Sequence, residues 1–167
     1  WENEQRVTSN KLGKPVNTLS FSEQGDYFVT AGHFHLKYWY FDENGKVVKQ
    51  ETQNQESIME SKSADLSKVR VKVFVGVQCK LGSVFSLASD GHLYIFDKNR
   101  KLQKWMNIKV DKALSCVLTN EHLFCGCSDG VIRVFQPKSL EHQMTLPKPP
   151  PLGTANIEAG AKKIRIP

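Results

Sequence analysis

The sequence contains no run approaching the roughly 18 consecutive apolar residues that a membrane-spanning helix requires, and its mean hydropathy is −0.41. A membrane partner is therefore not expected. Trp1-Glu2-Asn3-Glu4 has no apolar run behind it, which excludes a secretory signal peptide and suggests a chain that starts inside a larger protein. No Asn-x-Ser/Thr acceptor occurs. The four cysteines, Cys79, Cys116, Cys125 and Cys127, are too few for a small disulfide framework in 167 residues. Free thiols in a reducing, intracellular compartment are the expectation. No segment sustains a 3.6-residue apolar period, so helix should be scarce.

Catalytic patterns are also missing. Gly13-Lys14 lacks the upstream glycine of a phosphate loop. His33 and His35 flank Phe34 without any Ser or Cys nucleophile motif, and chemistry needs nucleophile, base and orienting group together. Cys125 and Cys127 would point to the same side of a strand, with His122 close by. Structural zinc, however, takes four ligands, commonly with paired cysteines spaced by two to four residues, so both thiols are read as strand-packing residues. Neither a catalytic residue, a metal nor a cofactor is expected.

What is present is the make-up of a globular domain, 40% apolar and 24% charged. The net charge of +6 is unevenly spread. Lys98, Arg100, Lys101, Lys104, Lys109 and Lys112 fall in one stretch whose acids are Asp97 and Asp111, and Lys162, Lys163 and Arg165 cluster further on. The first stretch is the candidate interaction surface. It suits acidic protein surfaces, with nucleic acid as the alternative partner for the same charge. Trp105 lies among these lysines. A single-stranded nucleic-acid groove needs several aromatic platforms, so Trp105 is expected to pack against a neighbouring sheet instead.

Three segments align without gaps: TAGHFHLKYW (30–39), LASDGHLYIF (87–96) and GCSDGVIRVF (126–135). Each has small residues, a two-residue turn and an alternating strand ending on an aromatic. Ser89-Asp90-Gly91 and Ser128-Asp129-Gly130 supply the turn chemistry, because Asp bonds the backbone just ahead and Gly accepts positive φ. Trp39, Phe96 and Phe135 are the anchors that close each strand. Phe96 and Phe135 are 39 residues apart, whereas Trp39 and Phe96 are 57 apart. The first interval therefore carries an insertion, visible as the polar, Gln- and Ser-rich run from residue 50 onward.

These repeats predict an all-β chain, a propeller fragment of about three four-stranded antiparallel blades. Residues 1–12 would be the outer strand of a preceding blade. The first blade spans 13–52 (strands 16–22, 27–31, 35–41 and 46–51), followed by a polar inter-blade loop at 53–70. The second blade spans 71–107 and the third 108–146. A Pro-rich linker and basic tail follow at 147–167. The ribbons 36–39, 93–96 and 132–135 are expected as equivalent inner ribbons about a shared axis. Three blades leave the ring unclosed, so an open arc, or association through apolar flanks, is expected.

The stretches at 17–42, 102–107 and especially 122–149 (HLFCGCSDGVIRVFQPKSLEHQMTLPKP) resemble the WD-repeat family that comprises mitogen-activated protein kinase-binding protein 1 and WD repeat-containing protein 62. That resemblance implies large cytoplasmic scaffolds with two propellers and a long C-terminal region. Such scaffolds bind c-Jun N-terminal kinase pathway components, and one is associated with centrosomes and spindle poles. The kinase-docking segments of the family lie outside this chain, so kinase binding is carried over to no residue here. The Trp-Asp ending of a regular repeat is Trp39-Tyr40, Phe96-Asp97 and Phe135-Gln136 here. The Asp–His–Ser–Trp network of regular WD repeats is thus incomplete, and these blades should rely more on apolar packing. The resulting expectation is a non-catalytic protein-binding scaffold, cytoplasmic, with kinase-pathway components or microtubules as partners of the full-length protein.

Overall fold

The computed structural model describes residues 9–149 apart from 43, 45, 52–56 and 70–72; the side chains of 49–51 and 57 also lie outside the description. Fourteen strands, and no helix, occur among the described residues. The first sheet is formed by β1 (Val16–Phe21), β2 (Tyr27–Gly32), β3 (His35–Tyr40) and β6 (Ser61–Ser63). A separate hairpin pairs β4 (Lys49–Glu51) with β5 (Ser57–Met59). The second sheet is β7 (Phe74–Lys80), β8 (Ser83–Ala88), β9 (His92–Phe96) and β10 (Leu102–Asn107). The third is β11 (Ala113–Leu118), β12 (Leu123–Cys127), β13 (Ile132–Phe135) and β14 (His142–Leu146). Pairing is antiparallel throughout.

Alternation of side chains across each strand gives every sheet two apolar faces to dispose of. Val29, Ala31, Leu36 and Tyr38 from the first sheet pack with Phe74, Val77, Val84 and Phe96 of the second. The other face of the second sheet, with Phe85, Leu87, Leu93 and Ile95, packs on Ala113, Cys116, Leu123, Cys125 and Phe135 of the third. The inner strands of the second sheet are therefore buried on both sides, and β8 reads as a continuous buried run after Ser83. By contrast, Leu114 and Val117 on β11 and Met144 on β14 are exposed.

The sheets meet along their first strands. Asn17 Nδ2 of β1 donates to the Phe74 carbonyl of β7 at 2.9 Å, the Cys79 amide donates to Ser20 Oγ at 3.0 Å, and Gln78 Nε2 donates to the Cys116 carbonyl of β11 at 3.3 Å. The close approach depends on Gly76, where an added Cβ would stand 2.5 Å from Cys116 Sγ. Each first strand carries an irregularity at the same place, between Val16 and Thr18, Phe74 and Gly76, and Ala113 and Ser115. The repeat is thus visible in the hydrogen-bond register itself.

Several expectations need correction. The ribbons 36–39, 93–96 and 132–135 are equivalent, but they belong to the third strands β3, β9 and β13; the strands that face one another across sheets are β1, β7 and β11. The fourth strand of the first sheet is β6, at Ser61–Ser63, not 46–51. Residues 49–51 instead fold onto Ser57–Met59, so the expected polar loop at 53–70 contains two short strands. Each is only three residues long, too short for an alternating pattern to register. Residues 9–12 are not strand, and the rest of the expected outer strand at 1–12 lies outside the described residues. The turn is two residues only in the first repeat, where Gly32 pairs with His35. The others use three residues, with Gly91 at φ 80° and Gly130 at φ 78°, a conformation glycine adopts without steric cost.

Candidate interaction surfaces

The six basic residues gathered by sequence are separated by the fold. Lys98, Arg100 and Lys101 sit at the turn between β9 and β10, where Asp97 Oδ1 accepts the Lys101 amide at 2.9 Å. Lys109 and Lys112 follow β10, at the opposite end of a strand that advances roughly 3.4 Å per residue. Two of the six tie sheets together. Arg100, half-buried at φ 67°, donates through Nη1 to the Tyr40 hydroxyl of the first sheet at 3.0 Å. Lys104 donates to the Lys138 carbonyl of the third at 3.2 Å. One basic stretch becomes two blade ends and two bridges.

Trp105 is 58% exposed, which corrects the expectation that it packs against the next sheet. β10 is an outer strand, and its Trp105 face is not covered by a neighbouring sheet. The indole lies 5.8 Å from the His92 ring, itself 6.1 Å from Tyr94. With Lys68 these residues line a shallow cavity of about 450 Å³.

The thiols are placed as packing residues. All four cysteines are free and buried. Burial pushes Cys79 up to about 11 and Cys116 up to about 12, and raises Cys125 as well. Cys79, Cys116 and Cys125 stay protonated at neutral pH, and a thiol rather than a thiolate is a poor nucleophile and ligand. Cys127 Sγ points to the Cys125 carbonyl at 3.4 Å, while His122 is engaged by Gln143 at 2.7 Å. Among the described residues no three His, Cys, Asp or Glu side chains converge on a metal-sized space.

The turn residues act locally. Asp90 Oδ1 accepts the His92 amide at 3.2 Å and Asp129 Oδ1 the Val131 amide at 3.3 Å, while Asp129 Oδ2 accepts Arg133 Nη2 at 2.8 Å. The anchors Trp39, Phe96 and Phe135 are all buried. Pro150 and Pro151 of the Pro-rich link, with the tail beyond them, lie outside the described residues.

The sequence is 38% identical to mouse mitogen-activated protein kinase-binding protein 1 over 158 residues, 92% of this chain and 10% of that protein. It is 37% identical to pig WD repeat-containing protein 62, again over 92% of this chain and 10% of the relative. The fold aligns with the solved structure of U3-55K at TM-score 0.54, 12% identity, 77% of this chain and 36% of that one. The crystal structure of the RRP9 WD40 repeats gives TM-score 0.53 at 12% identity, over 75% of this chain and 34% of that one. The chain is similar to these WD-repeat proteins, and its sheets have the fold of WD-repeat propeller blades. No protein-family profile matches it. The chain spans about a tenth of the length of the curated relatives it matches.

Viewed as WD blades, the three sheets differ at one buried position. The register places Thr30, Ser86 and Cys125 at equivalent points of their second strands. In the first blade Trp39 Nε1 donates to Thr30 Oγ1 at 2.8 Å, and Thr30 Oγ1 lies 2.7 Å from His35 Nε2. A neutral His35 with an unprotonated Nε2 accepts the hydroxyl proton and completes a chain that starts at the indole. Burial lowers the His35 pKa, assisted by Lys37 and Lys14, which favours that neutral ring. The expected shift toward apolar packing therefore does not hold for the first WD blade, which keeps a Trp–hydroxyl–His chain with the His supplied from β3. In the second blade Phe96 occupies the anchor position, and Ser86 Oγ is buried without a partner.

Sequence reasoning missed a second group. Lys11, Lys14 and Lys37 line a cavity of about 330 Å³ with Phe34 and His35 at one end of the first WD blade. Its lining comes from three separate segments, 11–14, 34–37 and Ser63 with Leu66, so no charge run marks it. The available signal was Phe34 itself, standing where the other two repeats have glycine.

Proposed function

We propose that this chain is a rigid, non-catalytic docking segment of a cytoplasmic scaffold. The observation that carries this reading is the 38% identity, maintained along 92% of the chain, to a protein named for kinase binding. The stacked blades fit it: both faces of the second sheet are consumed by packing, so partners meet the blade ends and outer strands. The lysines at these ends suit acidic protein surfaces, among them kinase-pathway components and the acidic tails of microtubules, with the centrosome or spindle pole as the place of action. Four of the six basic residues divide into two sites in this proposal, Lys98 and Lys101 at one end and Lys109 and Lys112 at the other, while Arg100 and Lys104 bridge sheets.

Nucleic acid is the competing partner for the same charge, and both bind with steep salt dependence. Co-sedimentation with microtubules in the presence of increasing RNA separates them. Protein docking predicts binding that RNA fails to displace and that Lys109→Gln with Lys112→Gln weakens. Displacement by equimolar RNA would overturn the reading.

A further inference from the structure

Phe34 is held at φ 48°, a region in which an L side chain is strained and which is common at functional sites. The equivalent turn positions are Gly91 and Gly130. Despite that cost a large aromatic is retained, and it is 50% exposed. Lys14 Nζ donates to the Phe34 carbonyl at 3.3 Å and stands 5.3 Å over its ring. Lys11 and Lys37 line the same cavity, and none of its described lining residues is an acid. The local field is positive, since Lys37 and Lys14 both add to the lowering of the His35 pKa. A positive, acid-free recess beside an exposed ring matches an anionic group with an apolar side chain next to it.

We infer that the cavity formed by Lys11, Lys14, Lys37 and Phe34 binds a short acidic peptide, its anionic side chains meeting the lysines and a neighbouring apolar side chain packing on Phe34. The anion is a carboxylate or a phosphoserine. This inference rests on the scaffold reading and gives it a specific receptor site on the first blade.

The test is fluorescence anisotropy with three labelled peptides that share a central leucine, flanked by glutamates, by phosphoserines or by glutamines. The glutamate or the phosphoserine peptide binds, whichever is tighter naming the anion, and the glutamine peptide binds at least about tenfold more weakly. Lys14→Gln with Lys37→Gln weakens the acidic peptide by about tenfold. Phe34→Gly separates docking from folding: it weakens the peptide several-fold while the thermal midpoint stays level or rises, because glycine relieves the turn. Equal binding of the glutamine peptide, unchanged binding in Phe34→Gly, or tighter binding of an RNA oligonucleotide at this cavity would overturn the inference. Microtubule co-sedimentation with the Phe34→Gly protein distinguishes the levels. If it persists while peptide binding was never present, only this pocket fails; if the unaltered chain shows neither, the scaffold reading fails too.

Discussion

The first and second blades place a hydroxyl at the same buried point and use it in opposite ways. In the first, Thr30 links Trp39 to His35. In the second, Phe96 replaces the indole donor, and Ser86 is buried with its oxygen unpartnered. A hydrogen bond inside a protein contributes modestly, but a buried group left without one costs its full desolvation. Phe in place of Trp at the anchor thus leaves the neighbouring hydroxyl a cost rather than a contributor. The third blade has Cys125 at this point, where a buried thiol asks for less.

The widest gap should come from the anchors. Phe96→Ala removes a fully buried ring from a sheet packed on both faces and should cost about 3–5 kcal/mol in urea unfolding. Val117→Ala on the exposed face of the third blade should stay within about 0.5 kcal/mol. A loss at Val117 comparable with that at Phe96 would break the contrast between covered and open faces.

Thr30→Val should cost about 1–3 kcal/mol, because it orphans the Trp39 indole in a buried site. Ser86→Ala should be neutral or gain up to about 1 kcal/mol, since it removes an unsatisfied oxygen. Equal losses for the two would show that the blades are not different in this respect.

The smallest effect is on pH. His35 has its pKa lowered from 6.5, so the unfolded chain takes up a proton first. The contribution is complete above about pH 6.5 and is lost as the pH falls below it. Thermal midpoints measured from pH 7.5 to 5 should decline in this window, and His35→Gln should flatten the decline.

Much of the fold could be read from sequence. The small–turn–aromatic pattern places β2 with β3, β8 with β9 and β12 with β13, because alternation and a glycine at positive φ leave a local signature. What escaped depends on contacts between distant segments. Ser61, Lys62 and Ser63 are all polar, so no apolar pattern marks the strand that closes the first sheet. The basic stretch 98–112 reads as one surface in sequence, whereas β10 holds its ends apart. Trp105 stays exposed because no sheet lies over that face of its outer strand. The Lys11–Lys14–Lys37 cavity is assembled from separate segments, and only the misplaced aromatic at Phe34 pointed to it.

The buried hydroxyl works with its anchor in the first blade and alone in the second. A double-mutant cycle on Thr30→Val and Trp39→Phe, beside one on Ser86→Ala and Phe96→Leu, measures this directly by chemical denaturation. The expected coupling is about 1 kcal/mol or more for the first pair and below about 0.5 kcal/mol for the second. Equal coupling in the two blades, or none between Thr30 and Trp39, would contradict it.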